Sequence, residues 1–162
     1  MKDKNLHRVL LKADILSPWT VGRYHNKKTI QRYIKETALK DKKLLEEKKK
    51  DFMPVIFPGF SWKNLKKTKG LDVKLNQIPR LKGKFLWEQA SLHVSNKVKM
   101  IYIAMFDEID EGTAIFKCAN KVPVGKSSFM TYEGLSSDHY LWLSGMIKKM
   151  LVKKKPRDMP KR

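Results

Sequence analysis

The chain has 162 residues, of which 41% are hydrophobic and 10% aromatic, a composition that supports one sizeable core and excludes a disordered tail. Its formal charge is +20, from 36 basic and 16 acidic residues, which raises nucleic acid or an anionic membrane as partners. Only six of the basic residues are arginine and 30 are lysine, whereas recognition of bases and phosphates favours the planar fork of arginine. A small basic, non-catalytic module that binds nucleic acid or another polyanion is therefore the alternative function.

The first predicted elements are a strand and a helix. Residues 1–16 contain one short apolar stretch interrupted by charged residues, so we expect neither a signal peptide nor a membrane span, and the compartment stays open. Residues 13–19 form an apolar run ended by Pro18, which is typical of a buried strand leading into a loop. In residues 28–50 apolar residues recur at helical spacing among lysines and glutamates, which predicts an amphipathic helix.

A second strand and helix are predicted in the middle of the chain. Residues 52–57 are continuously apolar and stop at Pro58 and Gly59, as in a parallel strand buried on both faces. Pro54 argues against regular pairing along the whole run. A long basic loop then leads to a predicted helix over residues 85–96.

The clearest predicted strand comes third. It covers residues 100–106 and runs directly into an acidic segment. The last helix is predicted over residues 137–152, with Ser136 or Ser137 as its N-cap. Residues 153–162 form a basic tail that we expect to be frayed.

This alternation predicts an α/β fold with parallel strands and right-handed crossovers, in one domain over residues 1–152. About three βα units amount to a partial (β/α)8 TIM-type barrel, because a complete barrel needs about 250 residues. One sheet edge and the inner face would then be uncovered. We expect a missing N-terminal half or a second chain to complete them.

Four carboxylates stand at the predicted end of the third strand, within five residues of an otherwise basic chain: Asp107, Glu108, Asp110 and Glu111. Working residues of parallel barrels project from the carboxyl ends of the strands and from the loops that follow. Crowded carboxylates raise one another's pKa, which can place a protonated acid beside an ionised base, the pair that breaks a glycosidic bond. A solvated acidic turn that pairs with lysines is the open alternative.

Aromatic residues follow the other two predicted strands: Trp19 and Tyr24 after the first, and Phe60 and Trp62 after the second. Exposed aromatic faces suit the apolar side of a sugar ring, but the same rings can also seal the top of a core. The only cysteine is Cys118, and the four histidines lack metal-ligand spacing. No dinucleotide fingerprint occurs, so we expect neither a metal nor a cofactor.

Residues 106–115 read FDEIDEGTAI and resemble the F-N-E-W-x-E-G-T-x-I segment of family 99 endo-α-mannosidases. They are closer still to the related group called glycoside hydrolase families 71 and 99-like. Four further segments typical of that group occur in the same order: SPWTVGRY at 17–24, FPGFSW at 57–62, an I-P-R…G…F-x-W pattern at 78–87, and YLWLSG at 140–145.

The resemblance implies the C-terminal portion of a (β/α)8 glycosidase barrel with a carbohydrate substrate. It implies that Glu108 and Glu111 line the substrate cleft as candidate catalytic residues. The candidate substrate-binding residues are Trp19, Arg23, Tyr24, Phe60, Trp62, Arg80, Asp107 and Asp110. Members of the group are often exported or periplasmic.

The departures from the family pattern are as informative as the matches. The family carries its principal carboxylates in a His-x-Glu-Pro type segment on an earlier strand, and no such segment occurs here. Asp107, Ile109 and Asp110 replace asparagine, tryptophan and histidine, so mannoside specificity does not carry over. The prediction is a glycoside hydrolase-like protein that acts on or binds a glycan, from a truncated or split barrel without the main acid/base pair. If complete it would be an O-glycosyl hydrolase; a non-catalytic carbohydrate binder is a further alternative.

Overall fold

The structure is a computed structural model that describes residues 3–121 and 125–162. Six α-helices alternate with four short strands in the described part of the chain. The helices are α1 (Lys4–Leu10), α2 (Lys27–Tyr33), α3 (Leu39–Glu47), α4 (Lys63–Lys67), α5 (Lys84–Ser95) and α6 (His139–Lys153). The strands are β1 (Ile15–Leu16), β2 (Asp51–Phe52), β3 (Val55–Ile56) and β4 (Tyr102–Ile103). A π-helix (Ile34–Ala38) joins α2 to α3, and a 3-10 turn (Leu81–Gly83) precedes α5.

All the strands of the described residues pair in parallel, as the alternation predicts. β1 pairs with β2, and β3 pairs with β4. Only Met53 and Pro54 separate β2 from β3, so residues 51–56 pair with β1 through their first half and with β4 through their second. The proline predicted to disturb regular pairing lies at this division.

The two faces of the sheet have different environments. Each of the two strand pairs packs one face on the helices: Phe52, beside Leu16, meets Ala38 and Leu45, and Ile56 meets α5 and α6. Paired residues in a parallel ladder point to the same side, and successive residues point to opposite sides. Ile15 and Tyr102 therefore lie on the other face, where they are 44% and 39% exposed, although Val55, which pairs with Tyr102, is buried.

A single helical rod from α2 through the π-helix to α3 covers the first strand pair. Its start is a capping box, because the Asn26 side chain accepts from the Thr29 N–H and Thr29 Oγ1 accepts from the Asn26 N–H. The buried stripe consists of Ile30, Ile34, Ala38 and Leu45, at the spacing that one helix face requires. The predicted helix over 28–50 matches this rod closely.

Helices α5 and α6 pack against each other over β3 and β4, and they carry the largest core cluster. Gln89 of α5 is fully buried within this layer. Its amide donates to Phe57 O at 2.7 Å and its Oε1 accepts from Phe57 N at 3.1 Å. A side chain thus completes the backbone pairing of the chain just beyond β3, as a neighbouring strand would.

Some elements differ from the sequence prediction. The strands predicted over 13–19 and 100–106 are regular for only two residues each, and α1 was not predicted. α6 begins at His139 with Asp138 before it, and neither serine caps it. The basic tail packs back on the molecule, since Trp87 Nε1 donates to Arg157 O at 2.9 Å. No helix within residues 3–121 and 125–162 is long and apolar enough to cross a membrane.

Candidate functional site

The acidic segment forms a tight turn immediately after β4. The N–H groups of Thr113 and Ala114 both donate to Glu108 O, at 3.1 and 2.8 Å, and the N–H of Asp110 donates to Glu108 Oε1 at 3.1 Å. The chain leaves the turn beside the strand it came from, because Met105 N donates to Thr113 O and Ile115 N donates to Met105 O. These bonds satisfy the backbone within the turn and leave the carboxylates outside it.

The carboxylates of the turn are unequally solvated. Asp107 and Asp110 are exposed, whereas Glu108 and Glu111 are partly buried. Burial raises the pKa of Glu111 above its ordinary value, and the neighbouring charges of Glu108 and Asp110 raise it further. The sequence predicted this crowding. The structure places Asp107, Glu108 and Asp110 in the lining of a cleft of about 590 Å³, whereas Glu111 lies in the same turn but does not line that cleft.

The remaining wall of that cleft comes from residues that sequence reasoning missed. Phe116 and Lys117 follow the turn in the chain, and Phe129 and Met130 also line the cleft. Phe116 also packs on Phe106, with ring centroids 5.9 Å apart. No motif separated these residues from ordinary loop positions, because their contribution depends on the chain folding back after the turn.

The loop after β3 lies directly beside the acidic turn. The N–H of Ser61 donates to Glu111 O at 2.7 Å, and Phe60 pairs with Ile78 in an isolated antiparallel bridge. Trp62 is 38% exposed, packs edge-on against Phe60 at 5.1 Å, and has the Lys66 ammonium 5.1 Å from its ring centroid. Two predicted strand-end segments are therefore joined at the site.

The segment after β1, residues 17–24, has some side chains on the surface and others in the core. Trp19 is 50% exposed, and Arg23 Nε donates to its carbonyl at 2.9 Å. Tyr24 is only 1% exposed, and its hydroxyl donates to Gln89 Oε1 at 3.1 Å. Burial raises the pKa of Tyr24 well above its ordinary value, so the phenol stays neutral. Phe60 is 3% exposed and lies in the same core cluster as Tyr24. Both rings therefore cover the top of the core, which is the alternative to sugar stacking that the sequence left open.

Arg80 is also enclosed, at 1% exposure. Its Nη2 donates to Gly112 O at 2.8 Å and to Ala114 O at 2.7 Å, so it contacts the backbone at the end of the acidic turn. Within the described residues, no group of three or more histidine, cysteine, aspartate or glutamate side chains could hold a metal ion. The site consists of carboxylates, aromatic rings and lysines.

Comparison with known proteins gives fold similarity alone. No family model and no curated protein matches the chain. Two solved structures of the GH99 endo-α-mannosidase from Bacteroides thetaiotaomicron do match. One has a TM-score of 0.66 and 18% identity and covers 89% of this chain; the other, in complex with bis-tris-propane, has a TM-score of 0.60, 19% identity and 80% coverage.

The chain folds like part of a GH99 endo-α-mannosidase. It spans only 40% and 37% of the two matched chains, so it corresponds to a portion of that fold. The resemblance inferred from the sequence motifs is confirmed at the level of the fold, as is the α/β class with parallel strands. At 18–19% identity the match says nothing about which sugar this chain would contact.

Proposed function

We propose that this chain is the C-terminal part of a glycoside hydrolase-like barrel and that its strand-end loops act on or bind a glycan. One observation carries the proposal. Glu108 and Glu111 lie in the turn that begins four residues after the parallel strand β4 (Tyr102–Ile103), in a fold shared with part of an endo-α-mannosidase. In parallel α/β barrels this end of the strands is where working residues gather.

The carboxylates have the chemistry that a glycosidase site uses. The raised pKa of Glu111 favours a protonated carboxyl, which can donate a hydrogen bond or a proton to a glycosidic oxygen. Glu108, whose Oε1 is held by the Asp110 N–H, would accept from a sugar hydroxyl. The chain contains no His-x-Glu-Pro type segment, which holds the family's main acid/base pair. We therefore propose that Glu108 and Glu111 bind and orient the glycan and that bond cleavage needs the rest of the barrel.

Aromatic and basic side chains supply the rim of the proposed site. Trp62 and Trp19 are exposed rings of the loops after β3 and β1, and they would stack on the apolar faces of sugar units. Asn64, in α4, connects the acidic turn to the segment around Ser128. Its Nδ2 donates to Ser128 O at 3.1 Å and lies 3.5 Å from Asp110 Oδ1. Arg23 and Asp107 would contribute exposed hydrogen-bonding groups.

The open sheet face supports the proposal that further barrel covers this chain. Strands of parallel sheets are normally buried on both faces, yet Ile15 and Tyr102 face away from the helices and are well exposed. The matched mannosidase chains hold more than half of their length outside the aligned part. A missing N-terminal half, or a second chain, is the partner proposed to cover this face.

Glycan binding can be tested on the chain as it is. Calorimetric titration with a panel of neutral oligosaccharides, followed in parallel by tryptophan fluorescence, should identify at least one binder. Glu111→Gln should weaken binding of that oligosaccharide about tenfold, because replacing the carboxyl group by an amide leaves a hydrogen-bonding partner on the glycan unpaired, which costs roughly 1–3 kcal/mol. Glu47→Gln, which changes an exposed glutamate at the end of α3, is the matched control and should bind like the unchanged protein.

Two outcomes contradict the proposal. One is equal binding by the Glu111→Gln and Glu47→Gln proteins, which removes Glu111 from the site. The other is an absence of oligosaccharide binding together with tight binding to nucleic acid that falls steeply with salt, which is the behaviour of the basic-module alternative.

A further inference from the structure

Arg80 is a buried cation without a carboxylate partner. It is 1% exposed, and the ion pairs among the described residues do not include it. Burying a charged side chain is costly unless its charge and its donors are compensated. Its surroundings therefore indicate what it does.

The compensation comes from two carbonyls and two aromatic rings. Nη2 donates to Gly112 O and Ala114 O, at 2.8 and 2.7 Å, while the guanidinium lies over Tyr140 at 4.5 Å and over Tyr132 at 5.0 Å. A desolvated cation over an aromatic face is attracted by the negative charge of the ring's π face. Within residues 3–121 and 125–162, Nε and Nη1 have no hydrogen-bond partner, so the hydrogen bonds that the guanidinium makes there go to the acidic turn.

The path of the side chain is also built into the fold. A Cβ at Gly59 would lie 2.6 Å from Arg80 Cγ and 2.9 Å from Ile78 O, so only glycine lets the Arg80 stem pass at this point. The stem crosses the loop after β3, and its head reaches the turn after β4. Arg80 thus ties together the two loops that carry the candidate site.

The bonds within the turn depend on the same backbone. Ala114 donates its N–H to Glu108 O at 2.8 Å and offers its carbonyl to Arg80. Gly112, with φ at +66°, directly follows Glu111 and offers its own carbonyl to Arg80. Fixing these two carbonyls therefore fixes the peptides that set the directions of the Glu108 and Glu111 side chains.

We propose that Arg80 is a positioning residue for the acidic turn, which holds Glu108 and Glu111 in place through the carbonyls of Gly112 and Ala114. It touches neither carboxylate, and its burial keeps it from the direct glycan contact that the family resemblance implies. That the acidic turn contacts a glycan rests on the proposed function. That Arg80 holds the turn in place does not depend on that function, and it can be measured without any sugar.

The experiment compares Arg80→Met and Arg80→Lys with the unchanged protein by amide hydrogen exchange and by carbon-detected NMR titration of Glu111. Arg80→Met should speed exchange of the Thr113 and Ala114 amides at least tenfold, and it should lower the pKa of Glu111 as the loosened turn becomes solvated. Arg80→Lys keeps a charge and donors but loses the planar stacking, so its effects should be intermediate.

Gln89→Met is the matched control, because it also removes a buried polar side chain that bonds to backbone but does not contact the turn. It should leave both readouts unchanged while lowering the free energy of unfolding.

Unchanged amide exchange in both Arg80 variants, or an increase in exchange spread equally over α5 and α6, would overturn the proposal. If Arg80→Met does not fold, wild-type exchange in Arg80→Lys overturns it and faster exchange confined to the turn supports it. Failure of Glu111→Gln to affect glycan binding would count against the proposed function alone.

Discussion

His93 is the most strongly desolvated histidine of the described chain. It lies on the buried side of α5 at 2% exposure, and burial lowers its pKa from 6.5 to about 4. The folded protein therefore holds the imidazole neutral at pH values where the unfolded chain is already protonated. Protons taken up on unfolding make stability depend on pH.

This imbalance predicts acid sensitivity with a defined sign. The stability that a neutral His93 provides is complete above about pH 6.5 and is lost as the pH falls from there towards 4, because the unfolded state binds the extra proton. Between pH 6.5 and 5 the loss should be about 2 kcal/mol. Urea unfolding at about pH 7.5 and about pH 5 measures it, and His93→Leu should show that much less pH dependence.

His25→Gln is the control, because it changes an exposed histidine and leaves α5 alone. It should retain the full pH dependence of the unchanged protein. Identical pH dependence in the His93→Leu and unchanged proteins would show that the imidazole is not held neutral.

The same burial marks the limit of sequence reasoning at single residues. Motif matches found Tyr24 and Arg80, but only three-dimensional packing shows that both are enclosed, with their polar atoms directed to Gln89 and to the acidic turn. The position of the four carboxylates after a strand was predictable, because a short apolar run that ends in charged residues is typical of a buried strand leading into a loop. A ring or a guanidinium, in contrast, suits a cleft and a core equally well.

At the scale of elements, strongly periodic segments were predicted and short or aperiodic ones were not. The rod from α2 to α3, together with α5 and α6, carries long stripes of apolar residues, so their positions follow from helical spacing. Regular pairing shrinks to two residues in β1 and β4, and α1 lacks any buried apolar stripe that could have marked it. The predicted fraying of the tail failed because its contacts are distant in sequence.

An ion pair between Arg162 and Asp138, called the clasp below, holds the C-terminal tail against the molecule and should protect the tail from proteases. Arg162 forms two hydrogen bonds to the Asp138 carboxylate, at 2.7 and 2.8 Å, and lies over Trp142 at 5.7 Å. Arg162 holds the pKa of Asp138 well below its usual range, so the pair stays ionised. Asp138→Asn should loosen the tail and speed tryptic cleavage after Arg157 several-fold, as followed by mass spectrometry.

Asp14→Asn removes a different exposed ion pair, in which Lys50 Nζ lies 3.1 Å from Asp14 Oδ1, and serves as the control. It should be cleaved at the rate of the unchanged protein. Since the clasp is exposed, high salt should reduce the difference between Asp138→Asn and the unchanged protein. A difference that is absent at low salt would mean that the packing of Met159 against the core, and not the ion pair, holds the tail.

At the scale of the whole molecule, charge and apolar exposure act against each other. A formal charge of +20 keeps copies of the chain apart through repulsion. The open sheet face, with Ile15 and Tyr102 exposed beside free strand edges, favours association with another surface. From the sequence alternation we expect an uncovered inner face, because about three βα units are fewer than a complete barrel needs.

The balance predicts that self-association grows with salt. At low ionic strength the positive charges of two copies repel each other, so the chain should be monomeric. At about 0.5 M salt this repulsion is screened within a few ångströms, so the apolar faces of two copies can come into contact. Sedimentation velocity should then show a concentration-dependent increase in mass. Tyr102→Lys should abolish the increase, whereas Val152→Lys, at an exposed apolar position near the end of α6, should not. Association that weakens with salt would instead indicate ion pairs between copies, and it would remove the open face as the surface that another part of a barrel covers.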